Sequence, residues 1–178
     1  MNRVMIIGFS GSGKSTLAQR LGKILKIEPV HLDAVAWSRG WVMRSAAEAE
    51  ALVTPVLNRD RWIIEGNYSN ILYQERLSLC DTLIFLDVPA WRCFFGVLKR
   101  YIRYKGVTRP DMADGCPEKV DFEFLTWVLW KGRKSRKKRL EAVRRIERDP
   151  GKRAYVFRNY TETENFLKET AYYQNRSK

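Results

Sequence analysis

Short apolar runs alternate along this chain with stretches of helical periodicity. Residues 3–8 (Arg-Val-Met-Ile-Ile-Gly) form a continuous apolar run, which predicts a strand buried on both faces. Between residues 15 and 25, Leu17, Leu21, Ile24 and Leu25 recur at i, i+4, i+7 and i+8, one face of a helix. Residues 29–33 read as a second strand ending in Asp33, residues 61–65 as a third ending in Glu65, and residues 82–87 as a fourth closed by Val88-Pro89. A helix over 45–57 opens with Ser45 and has Glu48 three residues on, a capping-box pattern. Residues 91–104 are amphipathic and helical, 104–121 form a loop-like insert, and 122–148 read as one helix stopped by Asp149-Pro150-Gly151. A fifth strand at 153–157 and a helix at 161–170 complete the pattern, with residues 173–178 expected to fray. Strands alternating with helices predict βαβ units, hence an α/β fold with a parallel sheet in a single domain over residues 1–178.

Composition narrows the class. Of 178 residues, 45% are hydrophobic and 12% aromatic, enough for a packed core and too much for a disordered chain. Met1-Asn2-Arg3 leads straight into strand with no cleavage site, which argues against a signal peptide. The apolar stretch at 122–130 contains Glu123 and is too short to span a bilayer. A cytoplasmic protein without a membrane partner is expected. Cys80, Cys93 and Cys116 are scattered and share the chain with only one histidine, His31. That spacing excludes a disulfide framework and a structural zinc site; all three are expected to be reduced. The net charge of +13 is uneven, because residues 131–148 hold ten Lys or Arg against two Glu. Such a segment faces anions, either nucleotide phosphates or a nucleic-acid backbone.

The chemistry starts at Gly8-Phe-Ser-Gly-Ser-Gly-Lys-Ser15, which fits Gly-x4-Gly-Lys-[Ser/Thr] at every position. Its glycines let the backbone curl so that successive N–H groups point inward, and the helix that follows adds its positive end. Gly8, Ser10, Gly11, Ser12, Gly13, Lys14, Ser15 and Thr16 are therefore the candidate nucleotide-binding residues, with ATP as ligand. Lys14 reaches the β- and γ-phosphates, and the Ser15 hydroxyl is a ligand for Mg2+. A guanine-reading Asn-Lys-x-Asp is absent from the sequence, which argues against a GTP switch, and the chain is short for a motor or helicase. A small kinase remains.

The P-loop, His31-Leu-Asp33, Trp41, the segment from Trp62 through Glu65-Gly66-Asn67 to Tyr68, and the run from Cys80 to Pro89 resemble the bacterial DNA topology modulation proteins, a group of adenylate-kinase-like P-loop kinases. So do Leu98-Lys99-Arg100 and the closing strand. The resemblance covers almost the whole chain. It implies a three-layer P-loop fold with a five-stranded parallel sheet in the order 2-3-1-4-5 and a mobile lid at about residues 104–121. It also implies that Glu65, where relatives place Asp, serves magnesium beside Ser15. Relatives follow that acid with Gly-x-Pro-Arg, whose Arg grips an acceptor phosphate; here Gly66-Asn67-Tyr68-Ser69 lacks it, and Arg76 is the conceivable substitute.

Other residues carry paired readings. Asp33 is placed to orient or deprotonate an acceptor hydroxyl, or to cap a turn. His31 reads as a hydrogen-bonded, partly buried residue before a base. Asp87 fits a hydrophobic run ending in Asp, and competes with Glu65 for magnesium or caps the next helix. Arg100 and Arg103 sit at the lid hinge. Arg133 and Arg136 are the chosen phosphoryl clamps, since forked donors suit charge spread over several oxygens. Trp37 and Trp41 are candidate walls of an acceptor pocket. Together these predict an ATP/Mg-dependent phosphotransferase acting on a nucleotide, nucleoside or similar small acceptor. The alternative is a nucleic-acid-associated, ATP-binding regulator of DNA topology that uses residues 131–148 on DNA.

Overall fold

A computed structural model of the protein describes residues 1–176. Five strands make one parallel sheet: β1 (Arg3–Gly8), β2 (Pro29–His31), β5 (Trp62–Glu65), β6 (Thr82–Leu86) and β7 (Arg153–Phe157). Their spatial order is β2-β5-β1-β6-β7. The intervening β3 (Trp37–Ser38) and β4 (Val42–Met43) form a separate antiparallel ribbon. Counted within the main sheet alone, the order runs 2-3-1-4-5. Val4 to Ile7, Ile63, Ile64 and Leu83 to Leu86 are all at most 1% exposed, the signature of central parallel strands covered on both faces. Register sets the site: Ile6 pairs with Glu65 on one side of β1 and with Ile84 on the other. The C-terminal ends of β1 and β5 therefore finish side by side, where ligands bind in open parallel sheets.

The helices are α1 (Lys14–Leu25), α2 (Leu32–Ala36), α3 (Ala46–Leu57), α4 (Tyr73–Leu79), α5 (Ala90–Tyr104), α6 (Phe122–Leu129), α7 (Arg136–Glu147) and α8 (Tyr160–Arg176). Among them α1 packs on β1, β2 and β5 and meets α8, while α7 lies against β6 and β7. The capping box forms as read: Glu48 N–H donates to Ser45 Oγ at 3.3 Å and Ser45 N–H to Glu48 Oε2 at 2.8 Å. Cys80, Cys93 and Cys116 are free thiols, all buried. No helix among the described residues is long and apolar enough to cross a membrane.

Three local expectations fail, and one helix, α4, is absent from the sequence reading. The second strand stops at His31, and Asp33 lies in the first turn of α2. Leu32 is fully buried against Gly66, where an added Cβ would come within 2.7 Å of the Leu32 Cβ, so the chain must turn there. Helix α4 has only seven residues, too few for a clear periodic signal. The single helix at 122–148 is broken, with a 3-10 turn over Lys131–Ser135 between α6 and α7. Gly132 is buried under the Trp127 ring, where a Cβ would stand 3.1 Å away, and the flexible backbone of glycine favours a break over a continuous helix. Finally, α8 continues to Arg176 instead of fraying from residue 173; residues 177 and 178 lie outside the described residues.

Asp81 joins the start of the chain to β6. Its carboxylate accepts from Asn2 N–H at 2.7 Å, Arg3 N–H at 3.0 Å and the Thr82 hydroxyl at 2.7 Å. Partial burial alone would raise its pKa, but these three bonds outweigh it and hold the group below its ordinary 3.8. A depressed carboxylate contributes stability above the unfolded-state pKa and loses it as pH falls through the folded one. Asp81→Ala should cost about 1–3 kcal/mol at neutral pH. In urea denaturation the gap between variant and parent should close as pH drops through the depressed pKa of Asp81; a constant gap would assign the contribution to packing.

Candidate functional site

The phosphate-binding loop lies between β1 and α1, and the structure shows why its glycines are needed. Gly11 has φ +76°, and a Cβ there would fall 2.1 Å from the Cys93 carbonyl oxygen; Gly96 meets the Gly11 oxygen in the same way at 2.2 Å. Backbone is thus pressed on backbone between the loop and α5. Gly13 caps α1 at φ +93°, a left-handed conformation that favours glycine. Asn67, just after β5, clamps the loop entrance by accepting from Gly8 N–H at 3.1 Å and donating to Gly8 O at 2.7 Å. Lys14 donates from Nζ to Phe9 O at 3.1 Å. The Ser12 hydroxyl is buried with no partner among the described residues, a donor suited to an anion in the loop.

Ser15 Oγ donates to Glu65 Oε1 at 2.9 Å, and His31 Nδ1 meets the same oxygen at 2.9 Å. This pairs the hydroxyl and the acid that the sequence singled out. Burial pulls the His31 pKa down, but the hydrogen bond and charge of Glu65, with Asp111 and Asp33 nearby, outweigh it and raise the value above 6.5. Asp111 comes from the insert; burial would raise its pKa, but the Arg109 charge, with Ser15 and His31 nearby, outweighs it and holds the group below its ordinary 3.8. Donor atoms of His31, Glu65 and Asp111 all lie within 4.8 Å of one another.

A cleft of about 790 Å³ opens beside the loop, and its lining includes Ser10, Lys14, Asp33, Arg100, Arg109 and Arg139. Trp37 and Trp41 both line it, edge to face with centroids 5.5 Å apart. Trp37 Nε1 donates to the Tyr68 hydroxyl at 3.1 Å. Arg100 is held by Glu118, with Nε to Oε1 at 2.8 Å. Burial and the neighbouring Arg109 charge lower its pKa despite that pairing. Arg109 bridges Glu118 at 2.6 Å, Asp111 at 3.0 Å and Asp33 at 3.9 Å. The insert, irregular apart from bridges at Lys105–Glu118 and Thr108–Pro117, is thereby fastened over the cleft by ion pairs.

The basic run is not solvated throughout: its lysines and Arg136 are exposed, while Arg133 and Arg139 turn inward. Arg133 and Arg139 stand over the Phe9 ring of the P-loop, their guanidinium carbons 3.8 and 4.5 Å from its centroid, a cation–π arrangement. Arg133 also donates to Val88 O at 2.7 Å. One terminal nitrogen of each is buried without a partner among the described residues. Burial lowers the Arg139 pKa to about 10, so it stays charged at neutral pH. Arg136 instead grips Asp87 with both forks, Nε to Oδ1 at 2.9 Å and Nη2 to Oδ2 at 2.7 Å, and does not line the cleft. Two expectations are corrected here. Asp87 is an ion-pair partner and not a helix cap, since Pro89 is the N-cap of α5 and there is no side-chain cap bond. Arg76 is fully buried and donates to the carbonyls of Ile71, at 2.9 Å, and Tyr68, so it holds a loop and does not face the cleft.

Sequence reasoning missed Asn67, Asp111, Glu118 and Arg139. Asn67 carried a signal, its place right after the strand-ending acid. Asp111 and Glu118 carried none, because acids are ordinary in an exposed insert.

No family model matches the chain, and no curated protein matches it in sequence. Among solved structures it is similar to a shikimate kinase from Bacteroides thetaiotaomicron, at 17% identity and a TM-score of 0.54 over 94% of this chain and 95% of that one. It is also similar to a "putative kinase" from Chloroflexus aurantiacus, at 16% identity and a TM-score of 0.51 over 95% and 97% of the two chains. At such identities the likeness concerns the backbone: the chain has the fold of the P-loop kinases.

Proposed function

We propose that this protein is an ATP- and magnesium-dependent phosphotransferase of the adenylate-kinase-like class, acting on a small acceptor such as a nucleoside or nucleotide. We assign it to the DNA topology modulation group on the residues quoted above. The observation that carries the reading is the Ser15–Glu65 hydrogen bond at 2.9 Å, which sets a hydroxyl and a buried carboxylate beside a P-loop that opens on a cleft. Hard oxygen donors of this kind suit magnesium; held by Ser15 and Glu65, it would neutralise charge on the β- and γ-phosphate oxygens.

The protein's own residues do the rest. Loop N–H groups beyond Gly8, whose own N–H is taken by Asn67, and Lys14 hold the phosphates. Asp33, whose side chain is 41% exposed, orients the acceptor hydroxyl and takes its proton as the oxygen bonds to the γ-phosphorus and ADP leaves. Arg100 and Arg109 anchor the insert, which excludes water from the transfer. Arg133 and Arg139 offer forked donors from the Phe9 side; Arg136, paired with Asp87, supports the structure beside them. Purified protein should release ADP in a magnesium-dependent way with at least one member of a panel of nucleosides, nucleotides and small hydroxylated compounds. ADP release from no panel member, with ATP binding intact, would overturn the reading.

The DNA reading needs backbone contacts from the basic segment, yet Arg133, Arg136 and Arg139 are engaged within the protein and the exposed cations there include Lys131, Lys134, Lys137 and Lys138. Duplex binding should be weak at physiological salt. Tight binding with a log–log salt slope of about −0.9 per phosphate contacted, flattened by neutralising Lys134, Lys137 and Lys138, would favour the DNA reading instead.

A further inference from the structure

Four donors from four separate parts of the chain converge at the foot of the P-loop. Ser15 opens α1, His31 ends β2, Glu65 ends β5, and Asp111 descends from the insert. The side chains of Glu65 and Asp111 are only 2% and 10% exposed; Glu65 accepts from the Ser15 hydroxyl, and donor atoms of Glu65, Asp111 and His31 lie within 4.8 Å of one another. Two buried carboxylates drawn to one point repel each other unless positive charge lies between or beside them. Arg109 supplies some at Asp111, but it is shared with Glu118 and Asp33. Ser15 and His31 both meet Glu65 at Oε1. The imidazole is the telling member. Magnesium alone calls for oxygen donors and its own waters, whereas a mixed set of imidazole and carboxylates suits first-row transition ions.

We propose that Ser15, His31, Glu65 and Asp111 form one divalent-cation site, completed by the insert, that binds a first-row transition ion in preference to magnesium and does so without nucleotide. The proposal deepens the phosphotransferase reading, because it rests on the same Ser15–Glu65 pair. Its consequence is mechanical: an ion held partly by Asp111 ties the insert to the phosphate-binding loop, so metal and closure are coupled.

The test uses the full chain without nucleotide. Mn2+ is titrated in and the free ion followed by electron paramagnetic resonance, with Mg2+ as competitor. One Mn2+ per chain should bind, displaced by Mg2+ only at concentrations at least about tenfold higher. Asp111→Asn should weaken Mn2+ binding by about tenfold or more, and His31→Gln should erase the preference over Mg2+. Thermal melts matched to the parent keep misfolding out of the comparison. Mn2+ should also slow tryptic cleavage after the exposed Lys105 and Lys119 in the parent but not in Asp111→Asn. Absence of Mn2+ binding without nucleotide, or unchanged Mn2+ affinity and Mn2+/Mg2+ preference in both variants, would overturn the site. Binding seen only when ATP is present overturns it too, yet leaves the phosphotransferase reading standing. Failure to bind ATP strikes that reading and not the cation site.

Discussion

Lys14→Ala should abolish phosphoryl transfer and weaken ATP binding by at least roughly 30-fold, because it would remove the loop's own cation from a partly enclosed polyphosphate. Truncating one partner of a buried, hydrogen-bonded charge pair costs about 2–5 kcal/mol, and each 1.4 kcal/mol is about tenfold in affinity. The fold should survive, since Lys14 makes one hydrogen bond in the protein itself, to Phe9 O. Calorimetry with a non-hydrolysable ATP analogue measures the loss directly. Unchanged affinity would mean that the loop does not hold a polyphosphate. Arg133 and Arg139 are not expected to compensate, because both guanidinium groups are held at the Phe9 ring and Arg133 also at Val88 O.

Glu65→Gln should lower magnesium-dependent turnover by about 10–100-fold while sparing nucleotide affinity much more than Lys14→Ala does. The amide keeps the shape and one acceptor oxygen for Ser15 or His31, but it removes the charge that balances a cation. Asp87→Asn is the control on the opposite side of β1. Its carboxylate is 3% exposed and paired with a half-exposed Arg136, so its replacement should act on stability, by about 1 kcal/mol, and leave turnover close to the parent. Steady-state kinetics and urea melts on the two variants separate the roles. A larger turnover loss in Asp87→Asn would move the metal-side acid from β5 to β6.

How far the sequence could be read follows the range of the interactions involved. The P-loop is a local object. Gly11 and Gly13 take left-handed conformations within a few residues of the strand and helix they join, so residue type and spacing suffice to recognise it. The buried strands announce themselves because a segment covered on both faces must be apolar throughout, as residues 4–7 and 83–86 are. From these, the βαβ order and the parallel sheet follow with little freedom.

Side-chain direction in the basic run obeys no such local rule. Its excess of cations suggested a face turned to anions, with Arg133 and Arg136 as phosphoryl clamps. The break at Lys131–Ser135 resets the helical phase, so that Arg133 and Arg139 share Phe9 while Arg136 swings to Asp87, 49 residues earlier in the chain. Likewise nothing near Asp111 or Glu118 in sequence marks them out. They matter because the insert packs back on the sheet's C-terminal edge, where long-range charge pairing with Arg100 and Arg109 lowers the cost of burying acids. Local propensity and spacing determined the strands and the loop with Ser15, and the family resemblance pointed to Glu65; which arginine faces the loop, and which acid joins Glu65 beside His31, was decided by contacts between residues far apart in the chain.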